Sequence, residues 1–210
     1  MNKDRDAGFW ENDYSRRGRV WGGAVHYLPP FYAGQRVLEL GCGNGKTYSA
    51  LTEKKCEVVG IDFSSSAAIL CRSLAPKTAR GEIALADVRH LPFADASFDA
   101  VLAFHVIGHL PTAGRVRCAA ESARVLRAGG ILYFSGFSGS DFRAGTGRET
   151  ESGTFERKNG ISTHYFTEDE VQELFHTMQP RECVTRRWTM TVRGQPHPRA
   201  EIAAAFTKIS

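Results

Sequence analysis

The stretch that decides the fold is Val37–Thr47, "VLELGCGNGKT". An apolar run typical of a short buried strand passes directly into a turn that contains Gly41, Gly43 and Gly45. Glycine-rich turns between a strand and a helix bind phosphates or nucleosides through backbone N–H groups. The candidate ligands are therefore a nucleoside triphosphate, a dinucleotide, or a nucleoside without phosphates.

The spacing of the glycines excludes two of these ligands. A P-loop has four residues between its first glycine and its Gly-Lys pair, whereas Gly41 to Gly45 leaves only three. A dinucleotide fingerprint places its third glycine one residue later. Glu39 stands two residues before Gly41, where a carboxylate would repel a pyrophosphate but suits a cationic ligand. S-adenosylmethionine is such a ligand, because it carries an ammonium and a sulfonium group and no phosphate.

From Arg36 onward, apolar runs alternate with helical patterns. The sequence predicts strands at "RVLEL", "EVVGID", "EIALADV", "FDAVLAFHV" and "ILYFSGF". Before the last of them it predicts a helix from Thr112 to Arg127, with Val116 on its apolar face and Gly129–Gly130 as its C-cap. This alternation predicts an α/β fold with a mostly parallel sheet and helices on both faces. Residues 138–160 lose all periodicity, which predicts a long loop. Thr167 and Glu170 predict a capped helix, and the tail alternates like two antiparallel strands.

Composition limits the remaining classes of function. The chain has 210 residues, 42% of them hydrophobic, which suits one domain with its own core. Its net charge is only +4, so a nucleic-acid partner is not expected, although arginines crowd the last thirty residues, either as a solvated strand edge or as an anionic partner site. Five scattered cysteines predict neither a metal site nor disulfides and fit a reducing cytosol. No apolar run reaches the roughly 20 residues that span a bilayer. We therefore expect a cytoplasmic protein without a membrane partner.

Several stretches resemble the class I S-adenosylmethionine-dependent methyltransferases, and in particular their small-molecule, type 11-like subgroup. "VLELGCGNG" looks like the first motif of that family, "VVGIDFS" its second, and "ALADVRHLPFADASFDAVLAFHVIGHL" its third and fourth. "VLRAGGILYFSGF" resembles the segment that leads into strand five. The resemblance implies a Rossmann-like, seven-stranded sheet. It also implies S-adenosylmethionine as cofactor, S-adenosylhomocysteine as product and a small-molecule acceptor, in a monomer or homodimer.

The resemblance also implies a set of cofactor-binding residues. Asp62 would accept both ribose hydroxyls, Asp87 would accept the adenine amino hydrogen, and Phe104 and His105 would lie beside the sulfonium. The full set from the sheet is Glu39, Gly41, Cys42, Gly43, Asp62, Phe63, Asp87, Val88, Phe104 and His105.

The N-terminal segment, residues 1–33, is expected to form a helical lid over the cofactor. Residues 9–28 carry five aromatic side chains and several arginines. We expect Tyr14 and one arginine, Arg17 or Arg19, to contact the methionine carboxylate, with Trp21 packed nearby. The alternative is that the aromatic side chains only anchor a terminal helix to the core.

The expected domain layout places the cofactor-binding core at residues 34–137, an acceptor-side loop at 138–166, and a helix with a strand pair at 167–210, all in a single domain. His105 and His109 are the candidate general bases. Alternatively, His105 lines the cofactor pocket and His109 caps the following helix. In the acceptor-side loop, His164, Tyr165 and Phe166 either line the acceptor pocket or, for the two aromatic residues, form a hydrophobic staple.

The predicted reaction is in-line methyl transfer to a small molecule. A protein or RNA methyltransferase, or a non-catalytic S-adenosylmethionine-binding protein, remain alternatives. The sequence after strand four reads "FHVIGH" instead of "NPPY" or "DPPY", which argues against methylation of nucleobase amines by that subclass.

Overall fold

Strand β1 (Arg36–Leu40) lies between two parallel neighbours in a seven-stranded sheet. The computed structural model describes residues 3–18, 28–75, 81–192 and 194–209. The other strands of this sheet are β2 (Glu57–Asp62), β3 (Gly81–Leu85), β4 (Phe98–Phe104), β5 (Leu126–Phe137), β9 (Gln179–Val192) and β10 (Gln195–Thr207). Their order is β3-β2-β1-β4-β5-β10-β9, with the first five parallel and β10 antiparallel to both its neighbours. The predicted fold class is confirmed.

Helices cover both faces of the sheet. On one face, α2 (Lys46–Glu53) and α3 (Ser65–Leu74) pack on a core that includes Val37 and Leu102. On the other, α4 (Thr112–Val125) and α5 (Glu168–Leu174) pack on a core that includes Leu38. Val37 and Leu38 face opposite sides because successive side chains alternate along a strand. Because β1, β2, β4 and β5 are parallel, their carboxyl ends lie at the same edge of the sheet.

Helix α4 is shorter than predicted and presents a different face. It ends at Val125, so Leu126 begins β5 and Gly129 lies within that strand instead of capping the helix. Val116 is exposed, whereas Arg115 is buried. The Arg115 guanidinium donates to the Leu110 carbonyl and lies 3.5 Å from Glu151. A charged side chain can be buried when its donors are satisfied in this way.

The prediction of a long loop over residues 138–160 is wrong for residues 148–151 and 154–156, which form two strands. Residues 148–164 form a small antiparallel sheet of β6 (Arg148–Glu151), β7 (Thr154–Glu156) and β8 (Ser162–His164). Its strands have only three or four residues and are largely polar, so they carry no clear periodicity. A short 3-10 helix, Ile107–His109, follows β4 in the chain and packs against β8 of this sheet.

The chain ends adopt the predicted types of structure. Helix α1 (Lys3–Arg17) packs on α3, and Thr167 and Glu170 form the capping box at the start of α5. Arg199 is buried, which corrects its interpretation as part of a solvated strand edge. Among the described helices, none is long and apolar enough to cross a membrane.

Candidate cofactor and acceptor site

The glycine turn after β1 is held in a left-handed conformation by its neighbours. Gly41, Gly43 and Gly45 have φ angles of 65°, 53° and 80°, a region that side chains with a Cβ rarely occupy. A Cβ on Gly41 would lie 2.9 Å from Val106, and a Cβ on Gly43 would lie 2.5 Å from the Tyr14 hydroxyl. The turn therefore fits tightly between the end of β4 and α1.

Asp62 braces this turn from the end of β2. Its carboxylate accepts the Gly43 N–H at 2.9 Å on one oxygen and the Ser64 N–H at 2.9 Å on the other. Burial raises the pKa of Asp62, while these backbone hydrogen bonds oppose the rise. Each carboxylate oxygen has capacity for a further hydrogen bond, so the predicted ribose contact is compatible with this geometry and stays a prediction.

Glu39 provides the test of whether the site fits a cationic ligand. The residue is 5% exposed, and its Oε2 is buried without a hydrogen-bond partner. Burial, together with the nearby Cys71 and Asp62, raises the pKa of Glu39 well above its ordinary value. A buried acceptor without a donor costs free energy, and an ammonium or another donor would satisfy it. This carboxyl group therefore fits the amino-acid end of S-adenosylmethionine.

Cys42 lies in the same turn, but its side chain is directed into the core. Its thiol is buried, and a hydrogen bond with Cys71, together with burial, raises its pKa. The thiol packs in the core with Tyr48 and Leu51. It therefore stays protonated and does not face a ligand as a nucleophile.

Helix α1 covers the glycine turn, as expected for a lid. Tyr14 is buried against Gly43, and Glu11 accepts hydrogen bonds from Ser64 and Ser66. These hydrogen bonds lower the pKa of Glu11 to about 2. Arg17 instead pairs with Asp13 at 3.1 Å, and its side chain is 60% exposed. The structure therefore brings Tyr14 to the turn and leaves Arg17 outside it.

Two predicted lid residues, Arg19 and Trp21, lie outside the described residues. Glu11 was missed by the sequence reading. Its contact could not be predicted, because nothing in the sequence indicates that an acidic side chain of α1 lies against Ser64–Ser66.

The predicted adenine-side residues lie at the ends of β2 and β3. Phe63 is 45% exposed, as a side chain that flanks a ligand would be, whereas Val88 is packed in the core. Arg89, which the sequence reading missed, donates to both oxygens of Asp87. Burial alone would raise the pKa of Asp87, but the hydrogen bonds from Arg89 outweigh it and lower the pKa. The carboxylate is thus ionised, and its predicted contact with adenine stays a prediction.

The end of β4 carries Phe104, which is half-buried, and His105, which is exposed. His105 has a φ angle of 54°, uncommon for a residue with a side chain, and its N–H donates to the Ser135 carbonyl at 2.7 Å. Its Nε2 lies 3.3 Å from Oε2 of Glu201, and its ring lies against Phe137 with centroids 4.6 Å apart. Glu201, on β10, was missed by the sequence reading.

His109 is a structural residue and does not cap the following helix. The N-cap of α4 is Pro111, and no side chain caps it. Nδ1 of His109 lies 2.7 Å from the Ser162 carbonyl, which can only accept, so Nδ1 carries the proton. Burial lowers the pKa of His109 to about 4, and its ring meets Trp10 edge-on at 4.8 Å. His109 therefore joins α1, β8 and the end of β4 as a neutral ring.

The three residues before α5 differ in their environments. His164 is buried beside Thr154, with 2.8 Å between Nδ1 and Oγ1, and burial lowers its pKa to about 4. Phe166 is in the core, where it meets Phe134 edge-on. Tyr165 accepts a hydrogen bond from Arg157 at 2.8 Å and lies 6.3 Å from Phe137 between ring centroids. Tyr165 therefore lies near Phe137, which also contacts the His105 ring.

An open sheet with a glycine turn and acidic strand ends at its carboxyl edge defines a nucleoside-binding, Rossmann-like domain. Residues 38–134 match the family described as "Methyltransferase domain". This match and the relatives below support a class I S-adenosylmethionine-dependent methyltransferase domain over residues 38–134. The predicted family and the predicted cofactor are thereby confirmed. No group of three or more potential metal ligands occurs among the described residues.

The relatives differ in what their names say they act on. A Mycobacterium tuberculosis protein named as a probable S-adenosylmethionine-dependent methyltransferase is 35% identical over 125 residues, 60% of this chain and 43% of that protein. The 27-O-demethylrifamycin SV methyltransferase of Amycolatopsis mediterranei is 37% identical over 112 residues, 51% and 40% of the two chains. A Bos taurus protein named as a probable tRNA methyltransferase 9B is 31% identical over 118 residues, which are 55% of this chain and 24% of that protein.

This chain thus spans less than half the length of each of these three relatives. A crystal structure of an S-adenosylmethionine-dependent methyltransferase from Methanosarcina mazei has the same fold. Its TM-score is 0.72 at 24% identity, and the match covers 89% of this chain and all of that one.

Proposed function

We propose that this protein transfers a methyl group from S-adenosylmethionine to a small-molecule acceptor by in-line displacement. The observation that carries the proposal is the assembly of Glu39, Gly43, Asp62 and Tyr14 at one sheet edge, with His105 at the end of the neighbouring strand. Apart from Tyr14 on α1, the residues of this assembly lie within the matched methyltransferase domain.

The cofactor end of the site binds S-adenosylmethionine and keeps water away from it. S-adenosylmethionine supplies an electrophilic methyl group on a sulfonium when it is bound. Glu39 offers its unpartnered oxygen to the ammonium, and Asp62 holds the glycine turn in place through the Gly43 N–H. Tyr14 closes the turn from α1. Alignment of the acceptor with an activated carbon is the main task left to the enzyme.

His105 is the better of the two candidate bases where the acceptor must lose a proton. A useful base has a pKa near the working pH, and a pKa of about 4 makes His109 a weak base. His105 is exposed at the end of β4, and its Nε2 lies 3.3 Å from Oε2 of Glu201, which orients the ring. Burial opposes ionisation of Glu201, but its hydrogen bonds with His105 and Ser135 lower its pKa, so the carboxylate is charged at neutral pH.

The surroundings of this edge favour a small acceptor over a macromolecule. Trp10 on α1 contacts His109, and a Cβ on Gly160 would lie 2.3 Å from the Phe9 ring. Helix α1, which covers the glycine turn, thus also contacts the β7–β8 turn. A cavity of about 480 Å³ lies between them, within the range of about 300–1,000 Å³ that is typical of small-molecule sites.

A methyl-donor assay against a panel of metabolites, with S-adenosylhomocysteine as the measured product, tests this proposal. Bulk tRNA and a protein extract form separate arms, because one relative is named as a tRNA methyltransferase. Turnover only in a macromolecular arm contradicts the small-molecule acceptor. Calorimetric binding of S-adenosylmethionine without product in any arm favours a non-catalytic binding protein instead.

A further inference from the structure

An arginine cluster, defined here as Arg143, Arg157 and Arg199, lies on the acceptor side of the sheet. Cζ of Arg143 lies 4.2 Å from the centroid of the Phe137 ring, and Cζ of Arg199 lies 4.9 Å from it. The same ring contacts His105 at 4.6 Å between centroids. Arg157 joins this group through the Tyr165 hydroxyl. The cluster is therefore next to the candidate base and is not part of the cofactor turn.

Among the residues that the structure describes, Asp141 is the only carboxylate hydrogen-bonded to this cluster, and both of its oxygens already accept hydrogen bonds. The Asp141 side chain is 0% exposed. Its oxygens accept Nε–H of Arg143 at 3.0 Å and Nε–H of Arg199 at 2.6 Å, together with the N–H groups of Arg143 and Ala200. Both arginines thus use Nε for Asp141, and the terminal nitrogens of their guanidinium groups point elsewhere.

The terminal nitrogens of Arg143 are incompletely satisfied. Its Nη2 is buried and has no hydrogen-bond partner. Burial lowers the pKa of Arg143, and the charges of Arg199 and Arg157 lower it further. A buried N–H donor without an acceptor, in a field of like charges, is unfavourable. An anionic ligand would supply the missing acceptor and offset the repulsion.

The lining of the cavity of about 480 Å³ is net positive, like the arginine cluster. Arg16, Arg157 and Lys158 line it together with two acidic residues, Asp13 and Glu156. Each acidic residue is paired with a further arginine: Asp13 with Arg17 and Glu156 with Arg148, both at 3.1 Å. The three cations that line the cavity have no carboxylate partner among the described residues. This cavity, which Arg157 shares with the arginine cluster, is therefore electropositive, and a positive field attracts anions.

We propose that the acceptor is a small molecule with an oxyanion, a carboxylate being its simplest form, that is anchored by Arg143 and Arg157. The body of the acceptor lies against Phe137 and Tyr165, and its nucleophilic atom faces His105. This inference rests on the proposed function, because it names the substrate class of the same site. Guanidinium groups suit this anchor, since their fork of N–H donors matches a carboxylate.

The test compares probes of the same shape and different charge. Benzoate and benzamide, and 3-phenylpropionate and its amide, are titrated by calorimetry into the protein saturated with S-adenosylhomocysteine. We expect each carboxylate to bind about tenfold or more tightly than its amide. The advantage is expected to disappear in Arg143→Gln and to persist in Arg117→Gln, which changes an exposed arginine of α4.

Three results would overturn the inference. The first is that carboxylate and amide bind with equal affinity, or that neither binds at millimolar concentration. The second is that Arg143→Gln binds the carboxylate as tightly as wild type does. The third is that Arg143→Gln loses affinity for S-adenosylhomocysteine. The last would assign Arg143 to the cofactor carboxylate. Arg143→Lys, which keeps the charge, and the wild-type comparison keep the test decisive if Arg143→Gln does not fold. Failure of the wild-type protein to bind S-adenosylhomocysteine would instead count against the proposed function.

Discussion

Nε2 of His105 lies 3.3 Å from Oε2 of Glu201, and the Ser135 hydroxyl donates to the same oxygen at 3.2 Å. The three residues come from the end of β4, from β5 and from β10, so the pair forms only when the C-terminal hairpin has joined the sheet. A carboxylate beside a histidine fixes the orientation of the ring and stabilises its protonated form. Glu201 is thus a positioning residue for His105.

Glu201→Gln is expected to slow methyl transfer and to leave cofactor affinity unchanged. A general base contributes about 10²–10⁴-fold to rate, and loss of its positioning partner is expected to cost part of that. The measurement is kcat, with the dissociation constant of S-adenosylmethionine determined separately. In a His105→Ala background, Glu201→Gln is expected to have no further effect on kcat, because the two residues act as one unit. Independent, multiplying effects would contradict the pairing, and Glu182→Gln on the exposed part of β9 is the control.

Glu39→Gln is expected to stabilise the ligand-free protein at pH 8 and to weaken its stabilisation by S-adenosylhomocysteine. The folded-state pKa of Glu39 lies well above its ordinary value of 4.5. The unfolded chain therefore releases this proton first, and stability falls as pH rises above about 4.5 towards the raised value. Gln has no such proton, so the variant gains most at pH 8 and least near pH 5.

Thermal unfolding at both pH values, with and without ligand, provides the measurement for Glu39. Glu57→Gln, at the exposed start of β2, is the matched control. A variant that is less stable than wild type at pH 8, or that is stabilised equally by the ligand, would show that Glu39 is already satisfied within the protein.

The cofactor half of the molecule was predictable because its determinants are local in sequence. The glycine spacing, Glu39 and Asp62 lie within one βαβ unit, and parallel strands bring their ends to one edge. The acceptor half depends on distant contacts. Asp141, which follows β5, pairs with Arg199 on β10, and His105, which follows β4, pairs with Glu201 on β10. No periodicity in the sequence encodes such pairs.

Two local predictions were wrong for physical reasons. Helix α4 was predicted from its apolar residues, but a buried Arg115 with satisfied donors takes a place on the inner face while Val116 is exposed. The sheet of β6, β7 and β8 consists of polar strands too short to show alternation. In both cases tertiary hydrogen bonds overrode the hydrophobic pattern.

Glu11→Gln is expected to loosen α1 and reduce cofactor affinity several-fold. The carboxylate accepts hydrogen bonds from Ser64, Ser65 and Ser66 at the start of α3, which lower its pKa to about 2. Its contribution is therefore present above its ordinary pKa of 4.5 and is lost as pH falls towards 2. Hydrogen exchange in α1 at neutral pH measures the effect, with Glu53→Gln at the end of α2 as control. Unchanged exchange in α1 would mean that Tyr14 and Trp10 hold the helix without this contact.

Gly136→Ala is expected to destabilise the protein by about 1–3 kcal/mol through overpacking. A Cβ on Gly136 would lie 2.7 Å from Cζ of Phe134 and 2.8 Å from Cδ2 of Phe166. Both rings are buried and meet edge-on with centroids 5.1 Å apart, so neither can move aside without disturbing the core.

Gly139→Ala provides the matched control for Gly136, because a Cβ there has no atom within 4 Å. Its effect on urea unfolding is expected to stay within about 0.5 kcal/mol. Replacing Phe166 by Leu in the Gly136→Ala protein should recover part of the loss relative to Phe166→Leu alone, since the added methyl group then meets a smaller side chain. Equal effects of the two glycine substitutions would mean that β5 can shift away from Phe166, and the edge that carries His105 and Phe137 would then be less rigid than its packing indicates.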